Sequence, residues 1–334
     1  MGTSSQMTKR ERMRAAIAFE TVDRVPVSFW GHFASDPHRA EELAAATIAF
    51  QRAFDWDFVK MMPSGMYLPE ALGCELTAAA GPGAVNDLAE SIVRRPADWA
   101  SLPVLDPREG WLAEHVRSIQ LVREALGPDV PILETLFSPL TIAHKLSLHV
   151  PFLESVREHR DVLLEGLASI TETTKRFAAA CLDAGADGFF FATQEANRAT
   201  LGQQSFLDIG RPFDLEVLGG LDERAWLNLL HVCRAGIYAE LVAEYPVPMI
   251  NWDSERTEPT LEEARRVWRG ACLLGGLDRE GALLGGSPAA VSSAVRQAVE
   301  RAGRQGFVLG AGCALMVATP EANLRAARAA VEGL

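Results

Sequence analysis

The chain is poor in the side chains from which metal and nucleophile sites are built: it has five cysteines and seven histidines among 334 residues. The cysteines, at 74, 181, 233, 272 and 313, are odd in number and scattered. That excludes a disulfide framework and reads as a reduced, cytoplasmic chain. C-x-x-C knuckles are absent, so a closed structural zinc cluster is not expected. Positive charge is in deficit, with 32 Lys and Arg against 44 Asp and Glu for a formal charge of −12. Nucleic acid is thereby excluded as a partner, because its binding depends on basic side chains neutralising phosphates. No apolar run approaches the roughly 20 residues of a membrane span. The opening MGTSSQMTKRERM lacks the apolar stretch of a secretory signal. Met7 offers a second start, and residues 1–6 could be foreign to the protein.

Repeats, low-complexity tracts and long Gly/Ser linkers are also missing. What is present is an alternation of short β-rich runs with helical ones. Eight β-rich runs stand out: 24–30, 57–62, 131–137, 186–192, 225–232, 247–253, 271–277 and 306–312. Helical stretches separate them, such as SPAAVSSAVRQAVERAG at 287–303, with a Ser-Pro start and a Gly stop, and TPEANLRAARAAVEGL at 319–334. Alternating strands and helices imply a parallel sheet with right-handed crossovers. Eight repeats give a (β/α)8 TIM barrel as the expected fold. It would span 24–334 as one domain, preceded by a helical extension over 1–23. The stretch 63–130 is too long for one helix and its loops, so an extra helical excursion is expected there. An open doubly wound sheet is the alternative. It is disfavoured because the first strand leads into GHFASDP, not a Gly-rich phosphate turn.

In such a barrel the working groups sit at the C-terminal ends of the strands. His231 and Cys233 close the fifth strand two residues apart, so on extended backbone both side chains point the same way. Cys313 follows the eighth strand and would emerge at the same face. One imidazole and two thiolates make a three-ligand zinc site with the fourth position open to a reactant. The bland alternative is that these three are core filling, as Cys74, Cys181 and Cys272 are expected to be. Asp253 and Glu134 are charged residues within or closing apolar strands. They are the candidate catalytic groups, since unpaired charge is costly to bury outside a polar cavity. His32, Gln194, Arg234, Asn251 and Trp252 fall at strand ends and are candidate substrate contacts. Trp252 and the Phe189–Phe191 run read as wall and core rather than catalytic. Arg234 reads equally as the partner of a surface acid.

Two stretches resemble the uroporphyrinogen decarboxylase superfamily. MTKRERMRAAIAFETVDRVPVSFW is similar to its opening helix, x-DR-x-PV turn and first strand. The run from GGLDREGALLGGSP to TPEANLRAARAAV is similar to its last two βα units. The resemblance implies the same (β/α)8 barrel. The decarboxylase branch carries an Arg-Gln-Ala-Gly-Arg-Tyr loop after the first strand and a Gly-His-Gly at the last. Here those places hold GHFASDP and Gly310-Ala311-Gly312. The decarboxylation of a tetrapyrrole poly-acid is therefore not expected.

The branch of zinc-dependent methyltransferases, which move a methyl group from a methylated corrinoid protein to a thiol such as coenzyme M, carries His-x-Cys and a Gly-x-Gly-Cys. His231, Cys233 and Cys313 match that pattern. Arg234 stands where that branch has Gly, and Ala-Leu-Met-Val-Ala follows Cys313 where it has prolines. The resemblance implies zinc as cofactor, methylcobalamin or another corrinoid carried by a partner protein, and a small thiol as substrate. A corrinoid-binding Asp-x-His-x-x-Gly motif is absent, so a cobamide would arrive from outside. Two rivals stay open: metal-assisted lyase or decarboxylase chemistry on a small acid, and a barrel that binds a thiol or a corrinoid protein without chemistry.

Overall fold

The structure is a computed structural model that describes residues 6–33, 39–77 and 86–334. Nine strands are found among them. They are β1 (Val59–Lys60), β2 (Glu75–Leu76), β3 (Leu88–Glu90), β4 (Ile132–Phe137), β5 (Gly188–Thr193), β6 (Leu229–Val232), β7 (Met249–Asn251), β8 (Cys272–Leu277) and β9 (Phe307–Ala311). Seven of them form one sheet in the order β1-β4-β5-β6-β7-β8-β9, and every pairing in it is parallel. Helices cross between neighbours, among them Gly110–Leu126, Arg160–Asp183 and Pro288–Ala302. The last of these is framed as its sequence requires: Ser287 Oγ accepts from Ala290 N, and Gly303 takes φ +76° to end it.

The sheet divides the apolar residues into two sets. Trp30, Leu133, Phe190, Leu229, Met249, Leu274 and Val308 pack together on one face. Their strand neighbours, such as Ile132, Leu136, Phe191, Leu230 and Leu273, pack with the helices on the other. Period-two alternation on every strand produces this two-sided burial. Helix Lys9–Ile17, capped by the reciprocal Thr8 and Glu11 bonds, adds Met13, Ala15 and Ala16 to the first set.

Two expectations need correction. Residues 24–30 do not form an eighth strand of the sheet; they carry a single parallel bridge, Val27 to Leu309. Ser28 N donates to Leu309 O (3.0 Å), Leu309 N to Pro26 O (2.8 Å), and Asp57 N to Val27 O (2.9 Å). The ladder stops there because Pro26 has no N–H and the Val27 N–H is taken by the Asp57 side chain at 2.7 Å. The excursion after β1 is also not purely helical. It holds the short helix Tyr67–Ala71, the antiparallel ribbon β2–β3, a 3₁₀ turn at Pro96–Ser101, and helix Gly110–Leu126.

The Asp23-Arg24 motif proves to be structural. Arg12 bonds Asp23 Oδ1 and Asp57 Oδ1, each at 2.7 Å, and Arg24 Nη1 bonds Asp57 Oδ2 at 2.7 Å. Asp57 is wholly buried, so its charge depends on both guanidiniums. Loss of one partner from such a cluster costs about 3–5 kcal/mol. The cluster ties the opening helix to β1 and leaves the opposite strand ends free for chemistry.

Candidate metal and substrate site

His231 lies on β6 in register with Asn251 on β7. That pairing sets His231 Nδ1 2.6 Å from Asn251 Oδ1. Asn251 Nδ2 meanwhile donates to Leu274 O at 2.9 Å and Ala311 O at 3.1 Å. Both partners are carbonyls, which only accept, so the amide orientation is fixed and Oδ1 is an acceptor. His231 therefore carries its proton on Nδ1 and presents a lone pair at Nε2. The ring stacks on Phe190, with centroids 5.1 Å apart and planes at 27°.

That lone pair faces Cys313, whose Sγ is 3.7 Å away. Cys233, the residue after β6, extends the ladder through its N–H to Thr193 O at 3.0 Å. The three donor atoms of His231, Cys233 and Cys313 lie within 4.8 Å of one another. A tetrahedral zinc with about 2.3 Å to sulfur and about 2.05 Å to nitrogen would hold those two ligands roughly 3.6 Å apart. The donor set and its spacing thus fit zinc. Hydrogen bonding from Cys233 pulls the Cys313 thiol well below its ordinary range, and the same bond pushes Cys233 up. Gly312 makes the arrangement possible. A Cβ there would lie 2.5 Å from Asp253 Cα and 2.8 Å from its Cγ, so only glycine lets the Cys313 strand end close against Asp253.

The three residues form a wall between two cavities. The inner one, about 150 Å³, is lined by Trp30, His32, Lys60, Met62, Thr135, Phe137, Lys145, Phe190 and Gln194 along with His231, Cys233 and Cys313. The outer one, about 270 Å³, is lined by Arg234, Asp253, Arg256, Thr257, Arg279 and Gly312 along with the same three. Burial raises the Asp253 carboxyl above its usual range. A groove of about 480 Å³ continues outward from Arg256 and Thr257 past Arg198 and Glu263.

The structure brings together His231, Cys233, Cys313, Asp253, His32, Gln194 and Arg234, and separates three others from the cavities. Glu134 sits between Ile132 and Leu136, both of the helix-side core, while Leu133 packs on the opposite face. Its carboxyl therefore faces the helices. Neither of its oxygens has a hydrogen-bond partner among the described residues, and burial raises its pKa to about 8. Trp252 is core: Nε1 donates to Pro259 O at 2.7 Å and the ring meets Trp268 edge-on at 4.6 Å. Asn251 spends its amide on His231 and two carbonyls and so orients the imidazole. Of the loop after residue 30, positions 34–38 lie outside the described residues.

Sequence reasoning overlooked Lys60 and Lys145. The chain has 28 arginines but only four lysines, at 9, 60, 145 and 175. Two of the four line the inner cavity, and that scarcity was a readable sign. Burial lowers Lys60 to about 7 and Lys145 to about 8.

Fold and site together define an α/β protein with a parallel sheet and a His-Cys-Cys centre at the sheet's C-terminal edge. The uroporphyrinogen decarboxylase (URO-D) family model matches residues 8–334, and the chain belongs to that family. It is similar to the methylcobamide:CoM methyltransferase MtaA of Methanosarcina barkeri, at 23% identity over 98% of each chain. It is also similar to the methylcobamide:CoM methyltransferase MtbA of Methanosarcina acetivorans, at 20% identity over 96% of each. Among solved structures, a methyltransferase from Methanosarcina mazei superposes with a TM-score of 0.86, at 23% identity, covering 98% of this chain and 99% of that one. Among the described residues, no helix is long and apolar enough to cross a membrane.

Proposed function

We propose that the protein is a zinc-dependent methyltransferase that moves a methyl group from a methylated corrinoid to a small thiol. The observation that carries the reading is the convergence of His231 Nε2, Cys233 Sγ and Cys313 Sγ within 4.8 Å, with the imidazole tautomer already set for coordination. The full-length similarity to two methylcobamide:CoM methyltransferases supports the choice of reaction. Zinc held by these three residues supplies a positive charge that favours the thiolate form of a coordinated thiol at neutral pH.

The remaining steps belong to the chain. Asn251 and Phe190 hold the imidazole. The inner cavity, with His32 and Gln194 on its wall, takes the acceptor, and the outer cavity and groove admit the donor, with Arg234 at their rim. Asp253 stands on the donor side and positions the incoming group against Cys313. In the transfer, the thiolate lone pair forms the S–C bond while the C–Co pair stays with cobalt, which passes from Co(III) to Co(I). The space of about 150 Å³ beside His231, Cys233 and Cys313 suits a small thiol. We also read residues 24–30, bonded to β9 on one side and to Asp57 and Phe58 just before β1 on the other, as the segment that closes the curled sheet without forming a strand of it.

The test measures zinc content and thioether formation from methylcobalamin plus a thiol, in wild type, His231→Ala and Cys313→Ser. The reading expects about one zinc per chain and turnover in wild type, with both lost in the variants. Zinc-free wild type, or turnover untouched in Cys313→Ser, refutes it.

A further inference from the structure

Lys60 is 8% exposed and points into the inner cavity. Its ammonium lies 2.8 Å from Met62 Sδ and 4.3 Å above the Phe190 ring. Among the described residues no oxygen accepts from it. A buried amine in contact with only a thioether and a π face, with Glu134 acting on it through space alone, is poorly compensated for the water it has lost. Lys145 reaches the same cavity from the helix after β4. It donates to Gly65 O at 2.8 Å and lies 4.6 Å from the Phe137 ring. No Asp or Glu lines this cavity among the described residues. In a chain of net charge −12, two of only four lysines face a space with no carboxylate in its lining, although Glu134 and Glu195 act on them through space from behind it.

We propose that Lys60 and Lys145 are the charge-selecting pair of the acceptor site, holding a negatively charged group on a thiol whose sulfur reaches the His231–Cys233–Cys313 wall. This rests on the thiol-acceptor reading above and adds the residues that choose among thiols. Phe190 links the parts, with the Lys60 ammonium over its face and the His231 ring stacked against it. Both lysines line the same cavity as His231, Cys233 and Cys313, which suits a short chain between sulfur and charge. Lysines act as point charges and lack the planar fork with which arginine matches one oxyanion shape. The pair therefore reads charge rather than oxyanion geometry, and short thiols ending in a carboxylate or a sulfonate are accepted alike.

The experiment titrates the zinc-loaded full chain calorimetrically at pH 7 with four thiols of similar length. They are 3-mercaptopropionate, 2-mercaptoethanesulfonate, uncharged 2-mercaptoethanol and cationic cysteamine. Wild type is expected to bind both anionic thiols at least tenfold more tightly than 2-mercaptoethanol, and within about threefold of each other, with cysteamine weakest. Lys60→Met keeps the length of the side chain and removes a buried charge, so it should fold at least as well. It should bring the anionic thiols to within about threefold of 2-mercaptoethanol while zinc content and 2-mercaptoethanol affinity stay unchanged. Lys145→Met should remove part of the advantage. Equal affinity for charged and neutral thiols in wild type overturns the proposal, as does equal loss of all four in Lys60→Met. If no thiol binds, the thiol reading falls, and sulfur-free propionate and ethanesulfonate still decide the charge subsite. Their binding, abolished in Lys60→Met, would keep it, and no binding would overturn it.

Discussion

The Oδ1 of Asn251 accepts from His231 Nδ1 at 2.6 Å because the two residues are register partners on adjacent parallel strands. Groups that orient a metal-bound imidazole in this way typically contribute 10–100-fold to metal affinity. Asn251→Ala should therefore weaken zinc binding by about that factor, measured by competition with a chromophoric chelator. Asn251→Asp keeps an acceptor for Nδ1–H but loses the donors to Leu274 O and Ala311 O, so it should retain more metal affinity while lowering the unfolding midpoint. Unchanged zinc affinity in Asn251→Ala would remove its orienting role.

Gly312→Ala tests the contact that seats Cys313. The added Cβ would come within 2.5 Å of the Asp253 backbone, which cannot swing aside as a side-chain tip can. Overpacking of this kind costs about 1–3 kcal/mol. The variant should melt several degrees lower and bind less zinc, read by calorimetry and metal analysis. A normal melt with normal zinc would mean that the strand end can shift freely.

The strands of this fold were legible because each is a short apolar run bounded by turn residues, and seven of the eight runs became strands of the sheet. The eighth failed for a local reason, Pro26 and the side chain of Asp57, that apolar patterning does not register. The convergence of His231, Cys233 and Cys313 was legible from spacing, since residues two apart on a strand share a face and the ends of parallel strands share an edge. Glu134 was misplaced because a polar residue in an apolar strand does not declare which face it is on, whereas Trp252 lies in the core that one of its two readings gave it. Only the packing of Leu133 against Phe190, opposite the helices, shows that Glu134 points outward. Lys60 was missed because a lysine in a strand reads as surface, although lysine's rarity in this arginine-rich chain marked it.

Glu134 should make the protein less stable as pH rises. Its folded pKa of about 8 stands above the ordinary value of 4.5, so the folded state holds a proton that the unfolded state releases. Its favourable contribution is complete below about pH 4.5 and is lost progressively up to pH 8. Lys60 acts in the opposite sense from about pH 7 to 10.5, where the unfolded chain binds the extra proton. The clean window is therefore pH 4.5–7. Glu134→Gln should match wild type near pH 4.5 and exceed it in unfolding free energy at pH 7 by about 3 kcal/mol. Methyl transfer should be unaffected, since the carboxyl faces the helices. A constant offset between the two proteins at every pH would refute the burial argument.

Trp252→Phe separates a core role from a substrate role. The indole N–H bond to Pro259 O would be lost, while most of the packing against Trp268 would remain. A lost buried hydrogen bond costs about 0.5–1.5 kcal/mol, and the orphaned carbonyl adds to it. Stability should fall by about that amount, with the acceptor KM within twofold of wild type. A tenfold rise in KM at unchanged stability would return Trp252 to the substrate site.

Arg234 occupies φ +75°, a left-handed conformation that costs an ordinary residue roughly 1 kcal/mol. Arg234→Gly relieves that cost but adds about 0.4–1 kcal/mol of unfolded-state entropy, so the two nearly cancel and the melting point should hardly move. The function of the side chain is then open to direct measurement. Arg234 is exposed and borders the outer cavity alone, whereas Lys60 and Lys145 border the inner one. If the acceptor's charge is read on the inner side, Arg234→Gly should leave the KM for an anionic thiol within twofold and raise the KM for the methyl donor. Should the thiol KM rise tenfold instead, with the donor KM unchanged, the acceptor lies on the outer side of the His231–Cys233–Cys313 wall and the two cavities exchange roles.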